Sequence, residues 1–262
     1  MNIAYATSGV GPPLVKPANW MTHLEYDWES PVWRHWLREL SRERMLVRYD
    51  ERGCGLSDHD ADDLSFEAWV RDLETVVDAM GLERFPLLGI SQGCAVAITY
   101  AVRHPERVTQ LVLYGGFAEG LITRARTPRE LEEVTMIMRN IPLGWGHDNP
   151  AFRMFFAARF LPEGTPEQMH WFSELQRLTT SPEIGARLLS TSATIDVTKL
   201  APQVRAPTLV LHATGDAVAP FGEGRKLASL IPGARFVPLE GRNHILLETE
   251  PAWTRFADEV RR

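Results

Sequence analysis

The chain has 262 residues, 44% of them hydrophobic, with 28 basic against 34 acidic side chains and a net charge of −6. That length supports one sizeable core, and the acidic balance offers no electrostatic footprint for nucleic acid or an anionic membrane surface. Two cysteines, Cys54 and Cys94, are too few for a disulfide framework, and without a CxxC or HExxH pattern no metal site can be read.

The first residues, MNIAYATSGVGPP, lack a positive n-region and a long apolar h-region. No apolar run nears the roughly eighteen residues that a membrane span needs, so the expectation is an unexported, cytoplasmic protein. A helical pattern over Trp33 to Leu40 leads into a short apolar run, Met45 to Tyr49, that reads as a buried strand. Phe66 to Met80 reads as a helix stopped by Gly81, and Pro86 to Ile90 as the next strand.

That strand runs straight into Gly89-Ile90-Ser91-Gln92-Gly93, a Gly-x-Ser-x-Gly turn. Lifting a serine side chain clear of a strand-to-helix corner demands a turn so tight that only glycine fits on either side. A bare match recurs by chance, and a serine that merely caps the helix is the bland alternative. The flanking elements favour a nucleophile: Ala95 to Arg103 reads as a packed helix with a cationic last turn before Pro105. Cys94 stands among small apolar residues and reads as a packed hydrophobe rather than a reactive thiol.

Val108 to Tyr114 is a further strand, after which the alternation stops. Residues 117–200 read as a helical cap inserted into a core made of residues 1–116 and 201–262. One face of the cap's aromatic and methionine stripe should rest on the sheet and another over a pocket. Trp145, Phe155 and Trp171, with Asn19, are the residues expected to line that pocket. Arg124, Arg126 and Arg129 form the only local basic cluster and read as a solvated helix entrance.

The alternation resumes with the strand Thr208 to His212, the helix Gly222 to Leu230, the strand Arg235 to Leu239 and a last helix, Pro251 to Arg262. Strands and helices in this order predict a doubly wound α/β architecture, a mostly parallel central sheet flanked by helices.

A serine hydroxyl needs a base, usually a histidine held by a carboxylate. Among eight histidines, His244 follows the strand Arg235 to Leu239, at the edge where strand C-termini present their loops. His212 lies inside an apolar run, His104 ends a helix, and His23, His35, His59, His147 and His170 have no strand-end context. Asp216 follows the strand Thr208 to His212, its bland reading being an Asx turn or helix N-cap. Asp196 ranks behind it, because TIDVTKL reads as a helix start.

The order Ser91, Asp216, His244 is that of the α/β-hydrolases, and the whole chain resembles that superfamily. RYDERGCGLSD is similar to the family's loop after its fourth strand, and HPERVTQLVLYGG to its sixth strand with lead-in. NWMTHLEYDWESPVWRHWLREL and LVRYDERGCGLSD resemble hydrolase modules attached, in some bacterial proteins, to adenylate-cyclase or helix-turn-helix regulatory domains. The resemblance implies an eight-stranded, mostly parallel sheet with Ser91 as nucleophile, His244 as base and Asp216 as acid. It implies oxyanion donors at the backbone N–H groups of Trp20 and Gln92, with Ala18 and Asn19 standing where relatives often carry His-Gly.

The strand that relatives place before IAYATSG is missing, which leaves a sheet edge exposed or paired with another molecule, as in a homo-oligomer. The expected activity is hydrolysis of a small carboxylic ester with a hydrophobic portion, without metal or organic cofactor and without nucleic-acid or membrane partners. Lactone hydrolysis, perhydrolase side activity and a ligand sensor with slow or no turnover are the alternatives. Dehalogenation would need an acid at the elbow.

Overall fold

The computed structural model describes residues 1–145 and 150–261, so His147 and Arg262 lie outside the described residues. Among the described residues one sheet has seven strands, β1 (Tyr5–Ser8), β2 (Pro13–Lys16), β3 (Met45–Tyr49), β4 (Phe85–Ile90), β5 (Val108–Tyr114), β6 (Thr208–Ala213) and β7 (Arg235–Leu239). Their spatial order is β1-β3-β2-β4-β5-β6-β7. Only β1 runs antiparallel to its neighbour, and every other pairing is parallel. The sheet thus has one strand fewer than the eight the resemblance implies, and β1 forms an edge.

The central strands read as unbroken apolar runs because both faces of a parallel sheet are covered. In β6 all six residues are buried, and β4 and β5 are buried over their C-terminal halves. Helices α1 (Tyr26–Glu29), α2 (Arg34–Leu40), α3 (Phe66–Ala79) and α4 (Gly93–Arg103) occupy the first half of the chain, and α9 (Phe221–Leu230) and α10 (Pro251–Arg261) the last part. In α3 the buried residues Trp69, Leu73, Val76 and Val77 recur at the spacing of one helical face. Ser65 caps its first turn through the amide of Ala68. Its end is a Schellman turn: Gly81, at φ +61°, donates to Asp78 and Leu82 donates to Val77.

Between β5 and β6 lie four further helices, α5 (Pro128–Gly144), α6 (Ala151–Phe160), α7 (Pro166–Thr179) and α8 (Pro182–Ala193). The two ends of this segment meet in a bridge between Glu119 and Asp196, flanked by amide bonds from Gly120 to Ile195 and from Val197 to Ala118. The stretch between β5 and β6 therefore departs and returns through one closed stem. Because β2, β4, β5, β6 and β7 are parallel, the loops after them gather at one edge of the sheet. No helix among the described residues is long and apolar enough to cross a membrane.

Candidate active site

Ser91 follows β4 directly and has φ +54°, a left-handed conformation that costs a non-glycine residue about 1–2 kcal/mol. The flanking glycines are dictated by crowding. A Cβ on Gly89 would stand 2.7 Å from the Cys94 Cα, and one on Gly93 would stand 2.8 Å from the Ala18 carbonyl oxygen. The Ser91 amide donates to the Tyr114 carbonyl at the end of β5 (2.9 Å), which pins the corner to the neighbouring strand. Helix α4 starts two residues later, so its positive end faces the serine.

His244 reaches the serine from the loop after β7. Its Nε2 is 2.9 Å from Ser91 Oγ and its Nδ1 is 2.6 Å from Asp216 Oδ2. Three contacts hold that loop: the His244 amide donates to the Phe160 carbonyl, its carbonyl accepts from the Tyr114 hydroxyl, and the Phe160 ring stands edge-on to the imidazole at 5.3 Å. A residue of α6 and one of β5 thus fix the histidine from outside its own loop.

Asp216 divides its carboxylate between two tasks. Oδ1 accepts the amides of Val218 (2.8 Å) and Ala219 (3.0 Å), an Asx turn, while Oδ2 is left for the imidazole. Turn former and histidine partner are therefore the same residue. Burial alone would raise the carboxyl, but the charge and hydrogen bond of His244, with His212 and the Ala219 amide, outweigh it and hold Asp216 below the ordinary carboxylate range. His212, 3.6 Å from the same Oδ2, is pushed below the ordinary histidine range by burial, against the pull of the Asp216 charge, and its Nε2 lies 2.8 Å from the Ala219 carbonyl. Asp196 lies far from this constellation in function, since its carboxylate accepts from the Thr198 amide in the stem of the inserted segment.

The segment after β2 closes on the elbow from the other side, as the Ala18 oxygen above Gly93 shows. Trp20 and Gln92 both line the space around Ser91, and among the described residues neither backbone N–H has a protein acceptor. Asn19 has a different task from the one expected. It is buried, and its Oδ1 accepts from Lys16 Nζ at 2.5 Å, a clasp across the loop that carries Trp20. Burial pushes the Lys16 ammonium down to about 8, against the charges of Asp27, Asp50 and Glu51.

The Gln92 side chain donates to both Glu51 oxygens (2.9 and 3.2 Å). Burial pushes the Glu51 carboxyl well up, and the Asp72 charge adds to it. No catalytic motif in the sequence marks Glu51. Its signal is the charged run Arg48-Tyr49-Asp50-Glu51-Arg52 at the end of a buried strand, where charges persist only if paired.

A cavity of about 60 Å³ opens over Ser91, walled by Trp20, Phe117, Phe156, Phe160 and Leu189 and reached by Arg124 and Arg159. None of the four expected pocket residues lies on this wall. Phe155 is exposed, one helix position from Phe156. Trp145 is buried behind the wall, edge-on to Trp20 at 5.9 Å, and Trp171 stacks on Tyr26 at 4.1 Å. Cys94 is buried and free, its Sγ 3.4 Å from the Tyr114 carbonyl. Among the described residues no His, Cys, Asp and Glu side chains group in a way that could hold a metal ion.

A hydroxyl bonded to an imidazole that is bonded in turn to a carboxylate can deliver an alkoxide-like nucleophile without an ionised serine in the ground state. Fold and site together define an α/β hydrolase. The chain belongs to the alpha/beta hydrolase fold family, whose model matches residues 25–251. It is 25% identical over 241 residues to pyrrolizixenacetamide deacetylase of Xenorhabdus hominickii, covering 90% of this chain and 86% of that one. It is 28% identical over 241 residues to pimeloyl-(acyl-carrier protein) methyl ester esterase of Nitrosomonas europaea, covering 90% of each. The crystal structure of an esterase from Rhodococcus sp. ECU1013 superposes with a TM-score of 0.78 at 27% identity, over 99% of this chain and 93% of that one.

Proposed function

We propose that this protein is a serine hydrolase that cleaves a small carboxylic ester through an acyl-enzyme. Ser91 attacks the carbonyl, and His244 takes its proton and passes it to the leaving alcohol. Asp216 holds the imidazole in the productive tautomer and stabilises its charged form. Water then attacks the acyl-enzyme, with His244 again as base. The Trp20 amide and the Gln92 amide, the latter at the positive end of α4, are the donors for the oxyanion. The reaction calls for no cofactor.

The relay of 2.9 Å from Ser91 to His244 and 2.6 Å from His244 to Asp216 carries this reading. The strain accepted at Ser91 supports it, because a helix-capping serine would have no need of φ +54°. The apolar wall above the serine suits a hydrophobic part of the substrate, under a cap formed by α5 to α8. With both cysteines free and buried, a reducing cytoplasmic setting fits the chain.

A panel of p-nitrophenyl acetate and butyrate, run with wild type and Ser91→Ala, tests the proposal. Wild type should turn over, and the variant should lose at least about 10³-fold in kcat/KM. Equal, slow release by both proteins would leave a ligand-binding module of the same fold as the better reading.

A further inference from the structure

Two arginines line the cavity over Ser91. Arg124 comes from the turn before α5 and Arg159 from the last turn of α6, and both line the same space as Ser91 and Trp20. Each guanidinium has five N–H donors. The acceptors they have are single backbone carbonyls of the Asp216 loop: Val218 for Arg124 (3.0 Å) and Ala217 for Arg159 (3.3 Å). Among the described residues neither forms an ion pair with a carboxylate.

Other inward-facing arginines behave differently. Arg48, Arg52 and Arg153 each meet an acid, at 3.5 Å from Asp27, 2.5 Å from Asp72 and 3.3 Å from Glu174. Burial disfavours the charge on both cavity arginines, and the Arg159 charge adds to this at Arg124. The charges of Glu223 and Asp216 offset part of that cost, but Glu223 is occupied by the amides of Ala118 and Glu119, and Asp216 by His244 and its own turn. Two half-buried cations with unspent donors, facing an apolar space beside a nucleophile, are what an incoming anion would complete.

We propose that the cavity selects esters that carry a free carboxylate, held by Arg124 and Arg159 while Ser91 attacks the ester carbonyl. This deepens the esterase reading and rests on it. A monoanion fits better than a phosphoryl dianion. The space is small and mostly apolar, and an adjoining wider space that shares Arg124 and Arg159 is rimmed by Glu130, Glu133 and Glu223, which repel higher negative charge.

The test compares charged and neutral members of two ester pairs: p-nitrophenyl hemiglutarate against p-nitrophenyl valerate, and 4-acetoxybenzoate against 4-acetoxybenzamide. Ser91→Ala supplies the uncatalysed rate. The readout is the charged-to-neutral ratio of kcat/KM, measured for wild type, Arg124→Gln and Arg159→Gln, with thermal melts to show that the variants fold. Wild type should prefer the charged member of at least one pair by about tenfold or more, and each replacement should lower that ratio by about ten- to hundredfold. Arg→Lys variants, which keep the charge and lose the fork, should fall between.

Turnover of the neutral esters with a ratio at or below one in both pairs overturns the carboxylate proposal and leaves the hydrolase reading standing. If no ester turns over, the hydrolase reading fails. Calorimetric titration of monomethyl glutarate into Ser91→Ala then decides the arginine assignment by itself. Binding that is lost in the Arg124→Gln and Arg159→Gln backgrounds supports it, and equal binding or none in all three overturns it.

Discussion

Gly93→Ala places one methyl group between the elbow and the loop that carries Trp20. The new Cβ would stand 2.8 Å from the Ala18 carbonyl oxygen, where ordinary contact begins at 3.4 Å. About 0.6 Å of movement is therefore required, and the obstructing atom is backbone, which cannot swing aside as a side-chain tip would. The loop is the more yielding partner, because α4 is buried along its length and anchored between β4 and β5. The backbone of Gly93 is already helical, so alanine gains up to about 1 kcal/mol of helix propensity, which offsets part of an overpacking cost of about 1–3 kcal/mol. The variant should fold. Displacing the Trp20 amide by a fraction of an ångström should lower kcat by about 10²-fold, with a smaller change in KM. Steady-state kinetics on p-nitrophenyl butyrate, paired with a thermal melt, measures both quantities. A folded variant whose kcat stays within about threefold of wild type refutes the role given to this loop.

Asp216→Asn should keep the turn, since the amide oxygen can still accept from Val218 and Ala219, while its NH₂ group faces Nδ1 of His244 and favours the wrong tautomer. The expected loss in kcat is about 10³- to 10⁴-fold with little change in melting temperature, and a rate near wild type would exclude Asp216 as the orienting acid. Gly89→Ala should act on stability instead, because its Cβ would lie 2.7 Å from the Cα and 3.0 Å from the amide nitrogen of Cys94. Both atoms belong to the rigid start of α4, so a melt should register a loss of about 1–3 kcal/mol or more, and an unchanged melt would contradict the packing described.

His35 makes stability depend on pH. Burial, opposed by its bond to the Leu246 carbonyl, pushes it down to about 4 from an ordinary 6.5. The unfolded chain therefore takes up the proton first. Stability falls as pH drops below 6.5 and levels off near 4, by about 3 kcal/mol from this group. Urea unfolding of wild type and His35→Gln at pH 7 and pH 4 isolates the effect as a difference of differences. Parallel loss in both proteins would show that His35 is not responsible.

Much of the frame is legible in the sequence because parallel strands buried on both faces leave continuous apolar runs. Met45 to Tyr49, Val108 to Tyr114 and Arg235 to Leu239 coincide with β3, β5 and β7. Strands β1 and β2 are four residues each, and their stretch is interrupted by Gly9, Gly11, Pro12 and Pro13, so no run announces them. Ser91, Asp216 and His244 stand out because each follows a strand, and the structure brings these three together. The pocket wall does not stand out. Phe155 and Phe156 differ by one position, and a 100° rotation separates solvent from cavity, which composition cannot phase.

Long-range packing also decides the basic cluster. Arg126 and Arg129 are exposed and pair with Glu119 and Glu133, as a solvated helix entrance should, while Arg124 turns inward to the cavity. Asn19 and Glu51 acquire their tasks from partners three and forty-one positions away, Lys16 and Gln92. Short-range pattern has no access to the second of these.

The most direct measurement is the mass of the protein after reaction with a fluorophosphonate probe, followed by peptide mapping. A single adduct on Ser91, formed by wild type and absent from both Ser91→Ala and the untreated protein, is the predicted result. Its rate should fall in His244→Ala, because the base that activates the hydroxyl is gone. An unmodified Ser91 in folded protein, or an adduct at another residue, would contradict the assignment of Ser91 as the nucleophile.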